Sequence, residues 1–246
     1  MAVKVFHDQG EDTTITREIE CYERTGECDH HAPFAKMLWP NRSHAGMKAV
    51  VLELFDDDLH HWMAEHAVSS NLLKSIGCQL ARALQYLHAE ARFVHLDVKP
   101  SNIVRREFDN KIALVDFGMA EPIRPTRPLH MTYCTANYRP PELWGDERGG
   151  QTPGHLLVPA VDMWSFGCTW WQIVAGDMLF KVRTENKIGP LVEDFAYNRR
   201  GHFTNALNPW AIRLAKAKEW QGMIQACMDP KPERRPTDLH KYFAYV

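Results

Sequence analysis

Two clusters of polar residues sit close together in the middle of the chain, with only short apolar runs between them. The first is His95-Leu96-Asp97-Val98-Lys99-Pro100-Ser101-Asn102, and the second is Asp116-Phe117-Gly118. Upstream, Leu72, Ile76, Leu80, Leu84 and Leu87 recur at intervals of three and four, which predicts an amphipathic helix that delivers the chain to Phe93-Val94-His95. Between the clusters, Ile103-Val104 and Ile112-Ala113-Leu114-Val115 predict two short strands around the turn Arg105–Asn110. An acid can accept a hydroxyl proton, an ammonium can neutralise a phosphate, and amide and carboxylate oxygens suit a hard metal ion. Taken singly, His95 reads as a core histidine and Asp97 as a turn residue. Those plainer readings do not account for D-x-K-x-x-N followed by D-F-G.

In this order the two motifs resemble the catalytic loop and the metal-binding loop of eukaryotic protein kinases. The fold that this resemblance implies is α+β and two-lobed. One kinase domain would span 1–246, with an incomplete β-rich N-lobe over 1–54 and the hinge and helical C-lobe over 55–246. The same resemblance implies that Asp97 orients the acceptor hydroxyl or takes its proton, and that Lys99 places a charge near the γ-phosphate. Asn102 and Asp116 would hold Mg²⁺, with ATP as the phosphoryl donor. Without a cation, the triphosphate would face two aspartates and be repelled.

Ala2-Val3-Lys4-Val5-Phe6 predicts a short strand, and Ala2-Val3-Lys4 keeps the A-x-K core of the kinase lysine strand. The helix that follows carries Ile15, Ile19 and Tyr22 on one stripe. Glu18 is the favoured partner of Lys4. Glu20 and Glu23 are alternatives, and a surface ion pair is the plainer reading for all three. Arg17-Glu18-Ile19 resembles cyclin-dependent kinases. Ala35–Trp39 predicts a strand, Pro40–Gly46 a loop and Met47–Leu54 a further strand. Glu53-Leu54-Phe55-Asp56-Asp57-Asp58-Leu59 then looks like the hinge. Glu53 and Phe55 would offer backbone groups to adenine, with Leu52 at the rear of the pocket and Ala2 and Val104 completing its walls. Asp58 would lie near the ribose, although the three aspartates also read as a solvated loop.

Cys134-Thr135-Ala136-Asn137-Tyr138-Arg139-Pro140-Pro141-Glu142 resembles the end of an activation segment, with Pro140 in place of the usual alanine. Glu142 would pair with Arg235, and Thr135 would stand against Asp97, as in Ser/Thr kinases. Tyr138-Arg139 before Pro-Pro-Glu resembles the cyclin-dependent and mitogen-activated group, which implies protein substrates phosphorylated at Ser or Thr, proline-directed, and a regulatory protein partner. Ser101 argues against an arginine-rich substrate motif. Asp162-Met163-Trp164-Ser165-Phe166-Gly167-Cys168 opens the most apolar helix, and Asp162 is expected to bind backbone amides of the 95–102 loop. Leu96 replaces the arginine of H-R-D and can make no charge-assisted contact with a phosphate. Activity is therefore expected not to depend on phosphorylation at Thr126 or Thr132. The chain opens at the lysine strand and no G-x-G-x-x-G occurs, so the expectation is a fragment of a longer protein, with a truly truncated kinase as the alternative. Two rivals stand beside the kinase reading: a pseudokinase that binds partners without catalysis, and a small-molecule kinase.

A net charge of −2 gives no reason to expect nucleic acid or an anionic membrane as a partner. No apolar run reaches spanning length. The 6 cysteines form no C-x-x-C pair, which fits a reducing, cytoplasmic location, with the nucleus as the alternative. Cys21, Cys28, His30 and His31 are close enough to raise zinc, against the plainer reading of a helix end and its turn.

Overall fold

The computed structural model describes residues 1–7, 13–27, 33–44, 47–123, 134–144, 158–181, 187–198 and 219–243. The chain divides into two compact units. The first comprises Met1–His95, Ser101–Ile123 and Asp238–Val246; the second comprises Leu96–Pro100 and Arg124–Thr237.

The first unit opens with strand β1 (Ala2–His7), helix α1 (Thr13–Gly26), and strands β2 (Met37–His44) and β3 (Met47–Leu52). The three strands form an antiparallel sheet in the order β1-β3-β2, and Lys4 lies opposite Val50. The expected loop over Pro40–Gly46 is corrected here, because β2 continues through Pro40 to His44. Proline has no N–H to give a ladder, but β2 is an edge strand. Its register with β3 shifts between Trp39 and Arg42, so the missing donor falls where pairing is already irregular. The expected strand over Met47–Leu54 ends at Leu52, and the Glu53 N–H donates to the Lys36 carbonyl at 2.8 Å.

Next come β4 (Asp57–Asp58), α2 (Leu59–Glu65) and α3 (Ser70–Ala89). Ser69 caps α3, accepting from the Leu72 N–H at 3.3 Å. Leu73, Ile76, Leu80, Leu84 and Leu87 form its buried stripe, so Leu73 rather than Leu72 begins the apolar face. Strand β5 (Phe93–Val94) pairs with β8 (Glu121–Pro122), while β6 (Ile103–Arg105) and β7 (Ile112–Leu114) form a hairpin with β4 alongside. His95, Phe34, Tyr22 and Phe117 meet in one aromatic cluster. The His95 ring donates from Nε2 to the Val115 carbonyl at 3.0 Å and is fully buried, so this histidine is a scaffold that joins the two polar loops.

The second unit is built on α4 (Val158–Ala175), against which α6 (Gln221–Cys227) packs; α5 (Ile188–Glu193) precedes α6. Helix α4 begins four residues before the expected start at Asp162. Trp164, Phe166 and Trp170 are completely buried along it. Gly167 lets α6 come close, since a Cβ there would stand 2.6 Å from Met228 Cγ. The guanidinium of Arg235, with no exposed side-chain surface, takes both carboxylate oxygens of Glu142 at 2.6 and 2.7 Å. It also donates to the carbonyls of Ala160 and Asp229. Among the described residues, no helix is long and apolar enough to cross a membrane.

Candidate active site

In the first unit, Lys4 is the centre of a charged triad. Strand β1 sends its side chain towards α1, where it pairs with Glu18, and it also donates to Asp116 Oδ1 at 2.8 Å. Of the three glutamates left open by the sequence, Glu20 pairs instead with Arg24 at 2.8 Å, and Glu23 is exposed. Burial works against the charge on Lys4, but the hydrogen bonds from Asp116 and Glu18 outweigh it, and its pKa is raised. Burial pushes Glu18 upward, with Lys4 opposing. Burial would also lift Asp116, yet the Lys4 hydrogen bond wins and holds its carboxyl below the usual range.

Asp116 adopts a left-handed backbone, φ 65°, which costs about 1–2 kcal/mol for a residue with a Cβ. The Tyr22 hydroxyl accepts from its N–H at 3.3 Å, and the Tyr22 ring meets Phe117 edge-on at 4.8 Å. Asn102, 5% exposed, ends a 3₁₀ turn, and its carbonyl accepts from the Val115 N–H at 3.0 Å. This ties the loops that carry Asn102 and Asp116 to each other. An amide and a carboxylate are oxygen donors suited to Mg²⁺, which usually takes few protein ligands and fills its sphere with phosphate and water. Among the described residues, no group of three or more His, Cys, Asp or Glu could hold a metal.

A cavity of about 350 Å³ adjoins the triad. Ala2, Lys4, Glu53, Phe55 and Val104 line it as expected, and Leu52 lies among them. The Glu53 N–H is already used, which, of this residue's two backbone groups, leaves only the carbonyl for the adenine expected there. Glu18 stands behind Lys4 and outside the lining. Asp58 is not a lining residue either: it caps α2, accepting from the His61 N–H at 2.9 Å.

The sequence reading did not single out Tyr22, Ala35, Leu54 or Val115 as cavity residues. Each had been absorbed into an apolar run or stripe. It also passed over Arg106 and Lys111, which grip the Glu53 carboxylate at 2.5 and 3.3 Å and brace the wall that carries Glu53 and Phe55.

In the second unit, Asp97 is 5% exposed and accepts the Thr135 hydroxyl at 2.6 Å on Oδ1. Lys99 closes the set, standing 2.8 Å from Asp97 Oδ2 and donating to Thr135 Oγ1 at 2.9 Å. The stretch that carries them is held by α4. Asp162 Oδ1 accepts from the Leu96 N–H at 2.8 Å, and Thr169 donates to the Val98 carbonyl at 3.0 Å. Leu96 is completely buried at φ 63°. Cys134, just before Thr135, has its thiol pushed well up by burial, which keeps it un-ionised and unreactive. Thr126 and Thr132 lie outside the described residues, as do Cys28, His30 and His31 of the zinc question. Cys21 is a buried residue of α1.

The family described as protein kinase domain matches residues 1–244. Cell division control protein 2 homolog 3 of Trypanosoma brucei brucei is 32% identical over 194 residues, covering 76% of this chain and 56% of that protein. Cyclin-dependent kinase 2 of Caenorhabditis elegans is 28% identical over 269 residues, covering 96% and 68%. Mitogen-activated protein kinase 12 of Oryza sativa subsp. japonica is 33% identical over 181 residues, covering 72% and 30%. The chain therefore spans about half or less of the trypanosome and rice proteins.

Proposed function

The chain belongs to the protein kinase family, and on that premise we propose that it is an active serine/threonine kinase that transfers the γ-phosphoryl group of ATP to a protein hydroxyl. The first unit supplies the nucleotide set. Ala2, Val104, Leu52 and the Glu53–Phe55 segment would enclose the adenine, and Lys4, held by Glu18, would bind the phosphates. Asn102 and Asp116 would hold Mg²⁺, which when bound neutralises phosphate charge. The second unit supplies the acceptor set. Asp97 would orient the incoming hydroxyl and take its proton, while Lys99 balances negative charge as the phosphoryl group moves.

The observation that carries this reading is the Asp97–Lys99–Thr135 cluster. A buried carboxylate there already accepts a hydroxyl hydrogen bond at 2.6 Å. That is the contact a serine or threonine substrate needs. Tyr138-Arg139 before Pro-Pro-Glu supports a proline-directed preference, and the cyclin-dependent and cell-division relatives support a regulatory protein partner. Among the described residues, Cys21, Cys78, Cys134, Cys168 and Cys227 are free thiols, in keeping with a reducing, cytoplasmic location.

The test is Mg²⁺-dependent nucleotide binding followed by phosphorylation of Ser-Pro and Thr-Pro peptides, with Asp97→Asn alongside. Turnover that falls about 10²–10⁴-fold in the variant, with nucleotide affinity kept, is expected. Nucleotide binding without turnover in the unaltered protein would make it a pseudokinase instead.

A further inference from the structure

Helix α1 presents two adjacent charged residues that leave it in different directions. Glu18 reaches Lys4, and Arg17 reaches Glu121, with which it forms an ion pair. Glu121 is no surface carboxylate. It is 3% exposed and belongs to β8, where Val94 lies opposite it across the β5–β8 pairing. The Ile123 N–H donates to the Arg92 carbonyl at 2.8 Å, so the backbone after Glu121 is anchored just past the pairing. A buried anion is costly unless a cation and hydrogen bonds compensate it, and Arg17 brings a guanidinium from a different element. The pair therefore fastens α1 to a strand rather than to a loop. One turn further along α1, Tyr22 reaches the Asp116 N–H and the Phe117 ring. Near the end of the helix, Tyr86 of α3 donates to the Arg24 carbonyl at 3.2 Å.

We propose that Arg17 and Glu121 are a positioning pair, a clasp that sets α1 so that Glu18 meets Lys4 and the Lys4–Asp116 contact is kept. The negative charge on which α1 docks comes from within the chain, so the helix is docked in the unmodified protein and waits for no added phosphate. The catalytic consequence rests on the kinase reading, whereas the clasp rests on the geometry of the first unit.

The experiment is amide hydrogen exchange on the nucleotide-free full chain, after phosphatase treatment, with peptides covering 13–26 and, as a reference, α4. Glu121→Gln and Arg17→Met are expected to speed exchange in α1 about tenfold while α4 keeps its protection. Arg17→Lys, which keeps the charge, and the reversal Arg17→Glu/Glu121→Arg are expected to recover most of that protection. In turnover assays the two neutralised variants are expected to lose kcat at least tenfold with the peptide KM within about twofold. The clasp is overturned if α1 keeps its protection in Glu121→Gln, if α1 and α4 lose protection together, or if neither Arg17→Lys nor the reversal restores it. Absence of turnover in the unaltered chain together with the expected exchange pattern would remove the kinase reading and leave the clasp standing.

Discussion

Lys4 Nζ lies 2.8 Å from Asp116 Oδ1, although 112 positions of chain separate the two residues. The same ammonium pairs with Glu18, so one cation serves two carboxylates. Lys4→Met should cost about 2 kcal/mol near neutral pH. That is less than the loss of one partner from a fully buried pair, because the Lys4 side chain keeps 35% of its exposure. The pH dependence has a definite sign. Asp116, whose folded pKa is lowered, draws stability from Lys4 above the ordinary carboxylate range and loses it as pH falls. Glu18, whose folded pKa is raised, is penalised as an anion, and that penalty fades as pH falls through its folded value. Without Lys4 the burial that raises both carboxyls loses its main opponent, so acidification relieves the variant more than the unaltered protein and the gap narrows. Urea melts at about pH 7.5 and about pH 5 measure that gap, and a gap wider at the lower pH would contradict the assignment.

On the kinase reading, Thr135 would share Asp97 with the incoming hydroxyl. Removing its hydroxyl in Thr135→Val deletes two charge-assisted hydrogen bonds, to Asp97 at 2.6 Å and from Lys99 at 2.9 Å, and is expected to lower kcat about tenfold. Thr135→Ser, which keeps the oxygen, is expected to stay within about threefold of the unaltered protein. A larger loss in Thr135→Ser, which drops only the methyl, than in Thr135→Val, which keeps it, would show that the methyl packing, and not the hydrogen bond, is what counts.

The Arg235–Glu142 pair is scaffolding for the second unit. Glu142→Gln leaves a fully buried guanidinium without its carboxylate and should destabilise by about 3 kcal/mol in denaturant melts. The double change Glu142→Leu/Arg235→Met is expected to recover part of that loss, because no unpaired charge remains. A single variant that melts like the unaltered protein would show that the pair contributes nothing.

Gly167 sits inside α4, where alanine would ordinarily gain about 1 kcal/mol of helix propensity. Packing reverses the sign. The added Cβ would stand 2.6 Å from Met228 Cγ and 3.1 Å from Cys227 Cβ, and overpacking of this kind costs about 1–3 kcal/mol. Gly167→Ala should therefore lower the melting temperature, and Gly167→Ala/Met228→Ala should recover part of the loss.

Much of the fold and of the site was legible in the order of residues. The stripe of α3, the hairpin of Ile103–Arg105 and Ile112–Leu114, and the D-x-K-x-x-N and D-F-G loops all depend on short-range spacing, which a linear text preserves. Lys4 with Glu18, Asp97 with Thr135, and Glu142 with Arg235 were expected only through a resemblance, because nothing local says which glutamate meets which lysine. Pro40–Gly46 carries a loop's residues, but proline is tolerated at a sheet edge, and which strand lies at an edge is not written in the local sequence. Asp58 was read as one of three solvated or ribose-facing acids, and its capping contact shows only once α2 is in place.

By itself, then, the sequence determined the family, the order of elements and the residue types that carry the chemistry, since these follow from periodicity and from motifs a few positions long. Tertiary structure alone decided the pairings across long stretches of chain: Arg17 with Glu121, Tyr22 with the Asp116 amide, Arg106 and Lys111 with Glu53. Each of those charges or donors has several possible partners along the chain. Only packing, by burying one partner beside it and leaving the others in water, makes one pairing worth more than the rest.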